Sequence, residues 1–173
     1  MDLLNNRNRT FIASHSGMFC GNLVRNTIPA FEAAVKMGAD ILEVDVAKTK
    51  DDRLILFHTG TEKLAFGKDI SVQNCTLQEL KTMRLKNSSG GKTIYYVDLL
   101  DDFLEHFKGR AIINIDRAWD IFEDVAAAVR RHGMVNEVFM KADCSDNHWE
   151  KAQAVASDIP FMPILSDADQ IEK

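Results

Sequence analysis

Gly38-Ala39-Asp40-Ile41-Leu42-Glu43-Val44-Asp45-Val46-Ala47-Lys48-Thr49, then Lys50-Asp51-Asp52, then Arg53-Leu54-Ile55-Leu56-Phe57-His58, is the stretch that decides the fold. Residues 40–49 read as a strand. Positions i and i+2 of a strand point to the same face, so Glu43 and Asp45 lie side by side. Leu42, Val44 and Val46 make the opposite face apolar, suited to packing beneath helices. The turn at 50–52 is too short for a parallel crossover, which takes a dozen or more residues. Residues 46–57 should therefore include an antiparallel hairpin.

Outward from this segment, strands and helices alternate. Residues 11–15 read as a buried strand with an exit loop at Gly17. A helix follows the cap candidates Asn26 and Thr27, with Pro29 in its first turn and Gly38 at its end. Thr76-Leu77-Gln78-Glu79 is a capping box opening a helix to about Leu85, and Asn87 to Lys92 is the most loop-like and flexible-looking stretch. Beyond it come a helix at about 98–107, a strand at 111–116 and a helix at about 120–131. A strand at 137–141, a helix at about 146–156 and a strand at 160–165 complete the series. Such alternation specifies a parallel α/β architecture. The expectation is a TIM-type (β/α) barrel, one domain over residues 1–173, with a rim β-hairpin near residues 46–58. A full eightfold barrel typically takes ~250 residues, so about six strands are expected here and the barrel is expected to be incomplete at its C-terminus, a smaller architecture being the alternative.

Composition removes several function classes. The net charge of −5 is spread along the chain and no basic stripe follows a phosphate backbone, which excludes nucleic acid as a partner. Met1 to Thr10 is polar, without the apolar core of a secretion signal, and no apolar run approaches the ~20 residues of a membrane span. Cys20, Cys75 and Cys144 show neither metal spacing nor an even count for disulfides. A cytoplasmic protein with reduced thiols is expected, and oligomeric state is not legible.

Several residues carry candidate chemistry. Two carboxylates on one inward face repel each other and lose solvation unless a cation lies between them, and oxygen ligands suit Mg²⁺ or Ca²⁺. The plainer reading of Glu43 and Asp45 is a salt-bridged pair at a strand end. Asp116 ends the strand Ala111 to Asp116 and is either a third ligand or a helix cap; Asn114 shares its face and is a further oxygen ligand or a substrate contact. His15 and His58 each close a strand-like run in a similar context, His15-Ser16-Gly17 and His58-Thr59-Gly60. Imidazoles titrate near neutrality and can serve as general base and acid. Structural roles are the alternative. His106, His132 and His148 lie on helices and are assigned to surface or packing.

Together these residues resemble the glycerophosphodiester phosphodiesterase family. The likeness runs through His15-Ser16-Gly17, Asn26 to Phe31, Gly38 to Val46, Thr49-Lys50-Asp51 and Leu54 to His58, with a further segment at Ile113 to Asp116. It implies a TIM-type barrel that cleaves small-molecule glycerophosphodiesters to an alcohol and glycerol phosphate. It further implies a divalent cation on Glu43, Asp45 and Asp116, and acid–base catalysis by His15 and His58; His15 is taken as base and His58 as acid, an order the sequence does not fix.

Four positions depart from the family pattern. Ser16 stands where an arginine is usual, Arg25 where a glutamate is usual, Thr59 where an aspartate follows the second histidine, and Ala118 where a lysine follows the third ligand. Arg25 is expected to supply the phosphate-facing charge that position 16 lacks, because guanidinium pairs with phosphate oxygens bidentately. Lys141 is expected to replace the missing lysine after Asp116. Surface positions in solvent are the competing readings of both. Two other functions stay open: a phospholipase C- or sphingomyelinase D-like phosphodiesterase, and a barrel that has lost catalysis and acts as a binding protein.

Overall fold

The computed structural model describes residues 9–143 and 148–165. Six strands form one sheet: β1 (Ala13–His15), β2 (Ile41–Lys48), β3 (Leu54–Leu56), β4 (Ile112–Asp116), β5 (Val138–Asp143) and β6 (Phe161–Ile164). Five of them run parallel in the order β1-β2-β4-β5-β6, and β3 pairs with β2 beside this path. The β2–β3 pairing is antiparallel, with Val46 opposite Leu56 and Lys48 opposite Leu54. The helices are α1 (Ile28–Lys36), α2 (Glu62–Phe66), α3 (Leu77–Leu80), α4 (Leu100–Phe107), α5 (Phe122–Arg131) and α6 (His148–Ala156).

The period-2 alternation of the strands divides the sheet into two faces. Leu42, Val44 and Val46 of β2, Ile113 and Ile115 of β4, and Val138, Met140 and Ala142 of β5 are buried in one core. Phe31, Phe103, Phe107, Val125 and Val129 of α1, α4 and α5 join them. Phe31 meets Phe103 edge-on with ring centroids 4.9 Å apart. Burying such side chains contributes about 1.5–3 kcal/mol each, so the helix layer rather than the thin strands β1 and β3 holds the sheet together. A second core gathers Ile55, Phe57, Phe66, Val72, Leu80 and Leu85 around the hairpin. The outer edge of β3 is covered, because Leu56 N–H donates to the Asp98 carbonyl at 2.9 Å.

Three local readings of the sequence need adjustment. The helix after the capping box stops at Leu80 instead of reaching Leu85, although the box itself forms, Thr76 and Glu79 each satisfying the other's backbone N–H. Leu85 is instead drawn into the second core, where its backbone pairs with Thr93 and Tyr95. The 87–92 loop is organised by Asn87, whose Oδ1 accepts the N–H groups of Ser89 and Gly91. The short helix α2 is not legible in the sequence. It is held by the buried Glu62 carboxylate, which accepts the Gly60 and Val72 N–H groups. Residues 146–147 of the expected sixth helix, and Cys144, lie outside the described residues.

Helix α1 aims the loops of the site, and its start depends on a residue far along the chain. Thr27 occupies the N-cap position, but its hydroxyl donates to the Val24 carbonyl and caps nothing. Pro29 has no N–H, so Ile28 carries the donor that needs a partner, and Asp98 Oδ2 accepts it at 2.7 Å. Asp98→Ala should destabilise the protein by about 1 kcal/mol, the usual cost of losing a cap, read as a shift in the urea midpoint. Burial pushes the Asp98 carboxyl above its usual range, with Asp102 adding to the rise and the Ile28 hydrogen bond opposing it. A group whose pKa is raised on folding stabilises the fold fully below its unfolded value, and that contribution is lost as pH rises through the folded one. Asp98→Asn keeps an acceptor and cannot ionise. Its melting temperature should therefore gain on the wild type as pH rises from about 4, the ordinary aspartate value; a gap that closes as pH rises would contradict the assignment.

Candidate active site

The face of the sheet opposite the helices carries the polar groups. Register sets His15 of β1 beside Glu43 of β2, and Glu43 beside Asn114 of β4. Two residues further along, Asp45 lies beside Asp116. On β5, Ile115 pairs with Met140, so Lys141 falls next to Asp116. Its Nζ is 2.7 Å from Asp116 Oδ2 and 3.4 Å from Glu43 Oε1. Both carboxylates of β2 are buried, at 5% and 2% exposure for Glu43 and Asp45.

The loop after β1 closes over this cluster. Ser16 N–H donates to the Glu43 carbonyl at 2.9 Å and to Glu43 Oε2 at 3.2 Å. The Asn26 side chain holds Asp45 at two points: Nδ2 donates to Oδ2 at 2.8 Å, and Oδ1 accepts the Asp45 N–H at 3.2 Å. Ser16 and Asn26 both adopt positive φ, 56° and 53°, a conformation costing a non-glycine residue roughly 1–2 kcal/mol. Gly17, at φ 79°, is required for a further reason: a Cβ there would lie 2.9 Å from the Ala30 backbone. Strain and close approach collect around Asp45, as they do where a fold positions chemistry.

Glu43, Asp45 and Asp116 each offer a carboxylate oxygen, and the three oxygens lie within 4.8 Å of one another. Burial first, and then Asp45, push the Glu43 carboxyl above its usual range, while Lys141 and His15 oppose that rise. One ammonium against three carboxylates leaves the pocket short of positive charge. Asn114 Oδ1 is buried in the same face without a hydrogen-bond partner, and a buried unpaired acceptor costs about 1–3 kcal/mol. An all-oxygen donor set with one acceptor to spare fits a hard divalent cation.

The two histidines flank the cluster differently. His15 Nε2 is 3.8 Å from Glu43 Oε2, and its side chain is 70% exposed. His58 follows β3, brought in by the Phe57 N–H bond to the Asp45 carbonyl. Its Nδ1–H donates to the Thr59 carbonyl at 2.9 Å, which leaves Nε2 available for proton transfer. Arg25 is exposed and stacks over the Phe19 ring at 4.3 Å. It lies along the wall of the cleft that His58 lines, and not against the carboxylates.

Residues 15–163 match the model of the glycerophosphoryl diester phosphodiesterase family. The chain belongs to this family. A glycerophosphodiester phosphodiesterase from Bacillus altitudinis is 38% identical over 110 residues, 62% of this chain and 44% of that protein. A human lysophospholipase D is 37% identical over 67 residues, covering 39% of this chain and 21% of its own. Among solved structures, a family member from Agrobacterium tumefaciens aligns with a TM-score of 0.75 at 29% identity, over 89% of this chain and 66% of its own. One from Parabacteroides distasonis aligns with a TM-score of 0.81 at 21% identity, over 94% of this chain and 56% of its own. The fold is thus an α/β one of TIM-barrel type, and the chain spans about half the length of these relatives or less in most cases.

Membership in the glycerophosphoryl diester phosphodiesterase family gives two of the four departures, Ala118 and Ser16, a place. Ala118 is fully buried in the helix-side core, so that position cannot present a cation to the carboxylates, and Lys141 on the adjacent strand does so. Ser16 is too short to cross the site, and its hydroxyl lies 3.4 Å from Asp45 Oδ2. Arg117 takes positive φ, 59°, and ends the regular strand, its N–H donating to Asp116 Oδ1 at 2.7 Å. Asn26 is the residue the sequence undervalued: it reads as a helix cap and serves as the brace of Asp45. Its place in the Arg25-Asn26-Thr27 segment was the available signal. Among the described residues, no helix is long and apolar enough to cross a membrane.

Proposed function

We propose that the protein hydrolyses glycerophosphodiesters to glycerol phosphate and an alcohol, using Mg²⁺ or Ca²⁺ and two histidines. The observation that carries this reading is the convergence of Glu43, Asp45 and Asp116 within 4.8 Å on the polar face of the sheet. In this reading residues 1–173 form one phosphodiesterase barrel domain, with the β2–β3 hairpin on its rim. Glu43, Asp45 and Asp116 would hold the cation, with Asn114 Oδ1 as a further donor. When bound, it neutralises charge that grows on a non-bridging phosphate oxygen.

The remaining work falls to the chain's own residues. His15 takes the proton from the attacking oxygen, either water or the neighbouring glycerol hydroxyl. His58 gives a proton to the leaving alkoxide as its P–O bond breaks. Where the glycerol hydroxyl attacks, the alcohol leaves a cyclic phosphate, which water then opens with the two histidines exchanging roles, so either route consumes one water per diester. Lys141 and Arg25 hold phosphate oxygens, Lys141 as a point charge and Arg25 through its planar fork.

Release of glycerol phosphate from glycerophosphocholine, followed with chelator and then with added Mg²⁺ or Ca²⁺, tests the whole. Activity should vanish with chelator and return with the ion. If calorimetry shows no millimolar binding of either cation, the barrel is a degenerate one and the reading fails. Two substitutions test the phosphate contacts. Arg25→Ala should raise KM about tenfold with little change in kcat, the magnitude of a charge-assisted hydrogen bond. Lys141→Met should lower kcat/KM by about tenfold and tighten cation binding, because its ammonium now occupies the carboxylates the cation needs. An unchanged KM for Arg25→Ala, or an unchanged kcat/KM for Lys141→Met, would remove that residue from the site.

A further inference from the structure

Beside His58 the structure holds a cleft of about 480 Å³, within the ~300–1,000 Å³ usual for ligand pockets. Its walls come from the loop before α1, from β3 and α2, and from residues 85–90. Phe19, Leu23, Leu56, Phe57 and Leu64 are among the lining residues. Phe57 is stacked on Phe66 at 5.5 Å, which stiffens the floor. Asn87 Nδ2 donates to Asn22 Oδ1 at 3.0 Å and ties the 87–91 loop to the loop before α1.

Arg25, Asn26 and His58 all line this cleft, and Asn26 is bonded to Asp45. The cleft therefore adjoins the carboxylate cluster through Asn26. Among the described residues, no aspartate or glutamate lines the cleft, and its charged lining residues are Arg25 and Lys86. With Arg25 assigned to the phosphate, a choline or ethanolamine group would still meet the Lys86 ammonium and no carboxylate. Leu64, meanwhile, presents its side chain to water at the lip with 78% exposure.

We propose that this cleft takes an aliphatic chain, so that the preferred substrates are glycerophosphodiesters bearing an alkyl or acyl chain. The inference rests on the phosphodiesterase reading and deepens it. The charge and apolarity of the walls select against a small cationic headgroup, and His58, the proposed acid, lines the same cleft. A chain attached to the departing oxygen would place that oxygen beside the histidine that protonates it.

Glycerol alkylphosphonates of four and eight carbons test this by calorimetry, since their C–P bond cannot be cleaved. A fully buried methylene contributes roughly fourfold in affinity, so the eight-carbon compound should bind at least about tenfold tighter. In a Leu23→Ser/Leu64→Ser variant, checked for folding by its melting curve, that ratio should shrink to about twofold. Equal affinity for the two phosphonates, failure of both to bind, or a ratio that survives the double variant would overturn the assignment. Turnover of glycerophospho-octanol and of 1-octanoyl-glycerophosphocholine, each against glycerophosphocholine, shows which ester of the phosphate carries the chain. A clear preference in either pair supports the proposal, and equal measurable turnover within both pairs overturns it. No turnover of any diester, with the eight-carbon phosphonate still bound the tighter, would overturn the hydrolase reading and leave the cleft assignment standing.

Discussion

Alanine at His15 or at His58 should lower kcat on a glycerophosphodiester by about 10²–10⁴-fold, the usual worth of a positioned general acid or base. The two sites test different halves of the reaction. His15 is largely solvent-exposed, so removing it leaves little packing to repair, and any loss reports on chemistry. His58 is half-buried and anchored through Nδ1, so its variant needs a melting curve beside the kinetics. Because both imidazoles act in one displacement, the double variant should lose little more than the worse single one. A loss under tenfold for both single variants would remove the histidines from the mechanism and leave positioning and charge as the whole of catalysis.

How far the sequence reveals this site depends on the range of the interactions involved. Glu43 and Asp45 are legible because a strand's period of two needs only neighbouring residues, and Leu42, Val44 and Val46 betray which face is buried. The turn at Lys50–Asp52 is legible for the same reason, its length forbidding a parallel return. The contacts that were not legible span the chain. Asn26 bracing Asp45 crosses a strand–helix connection, and Asp98 capping α1 reaches back 70 residues. No local pattern marks either one. Helix α2 is too short to show a period, and α3 ends early because tertiary pairing of Leu85 outweighs its helix propensity. Lys141 falls between these cases. Its strand is legible, but its partners Asp116 and Glu43 follow only once β5 is known to lie against β4.

Glu43→Gln should separate stability from function more sharply than any other substitution here. The side chain keeps its shape, so the hydrogen bond from Ser16 N–H to that oxygen survives. What disappears is one of three negative charges converging within 4.8 Å. Cation affinity should fall by at least the roughly 10–100-fold that loss of a mere outer contact costs a metal site, and kcat/KM should fall on the order of 10³-fold, the several kcal/mol that a bound cation lends a transition state. In chelator the same variant should be the more stable protein, by about 0.5–2 kcal/mol, the range seen when a functional site is relieved of its strain. The sign follows from the contacts. Lys141 keeps its closer partner Asp116 at 2.7 Å, while Asp45 loses a buried like-charged neighbour. With saturating Mg²⁺ or Ca²⁺ the order of stabilities should reverse, because ligand binding adds stability only to the form that binds it. Melting curves of both proteins, with chelator and with the ion, decide the matter. A wild type that is already the more stable in chelator, and unmoved by the ion, would mean that the three carboxylates are a structural network around Lys141 and not a cation site.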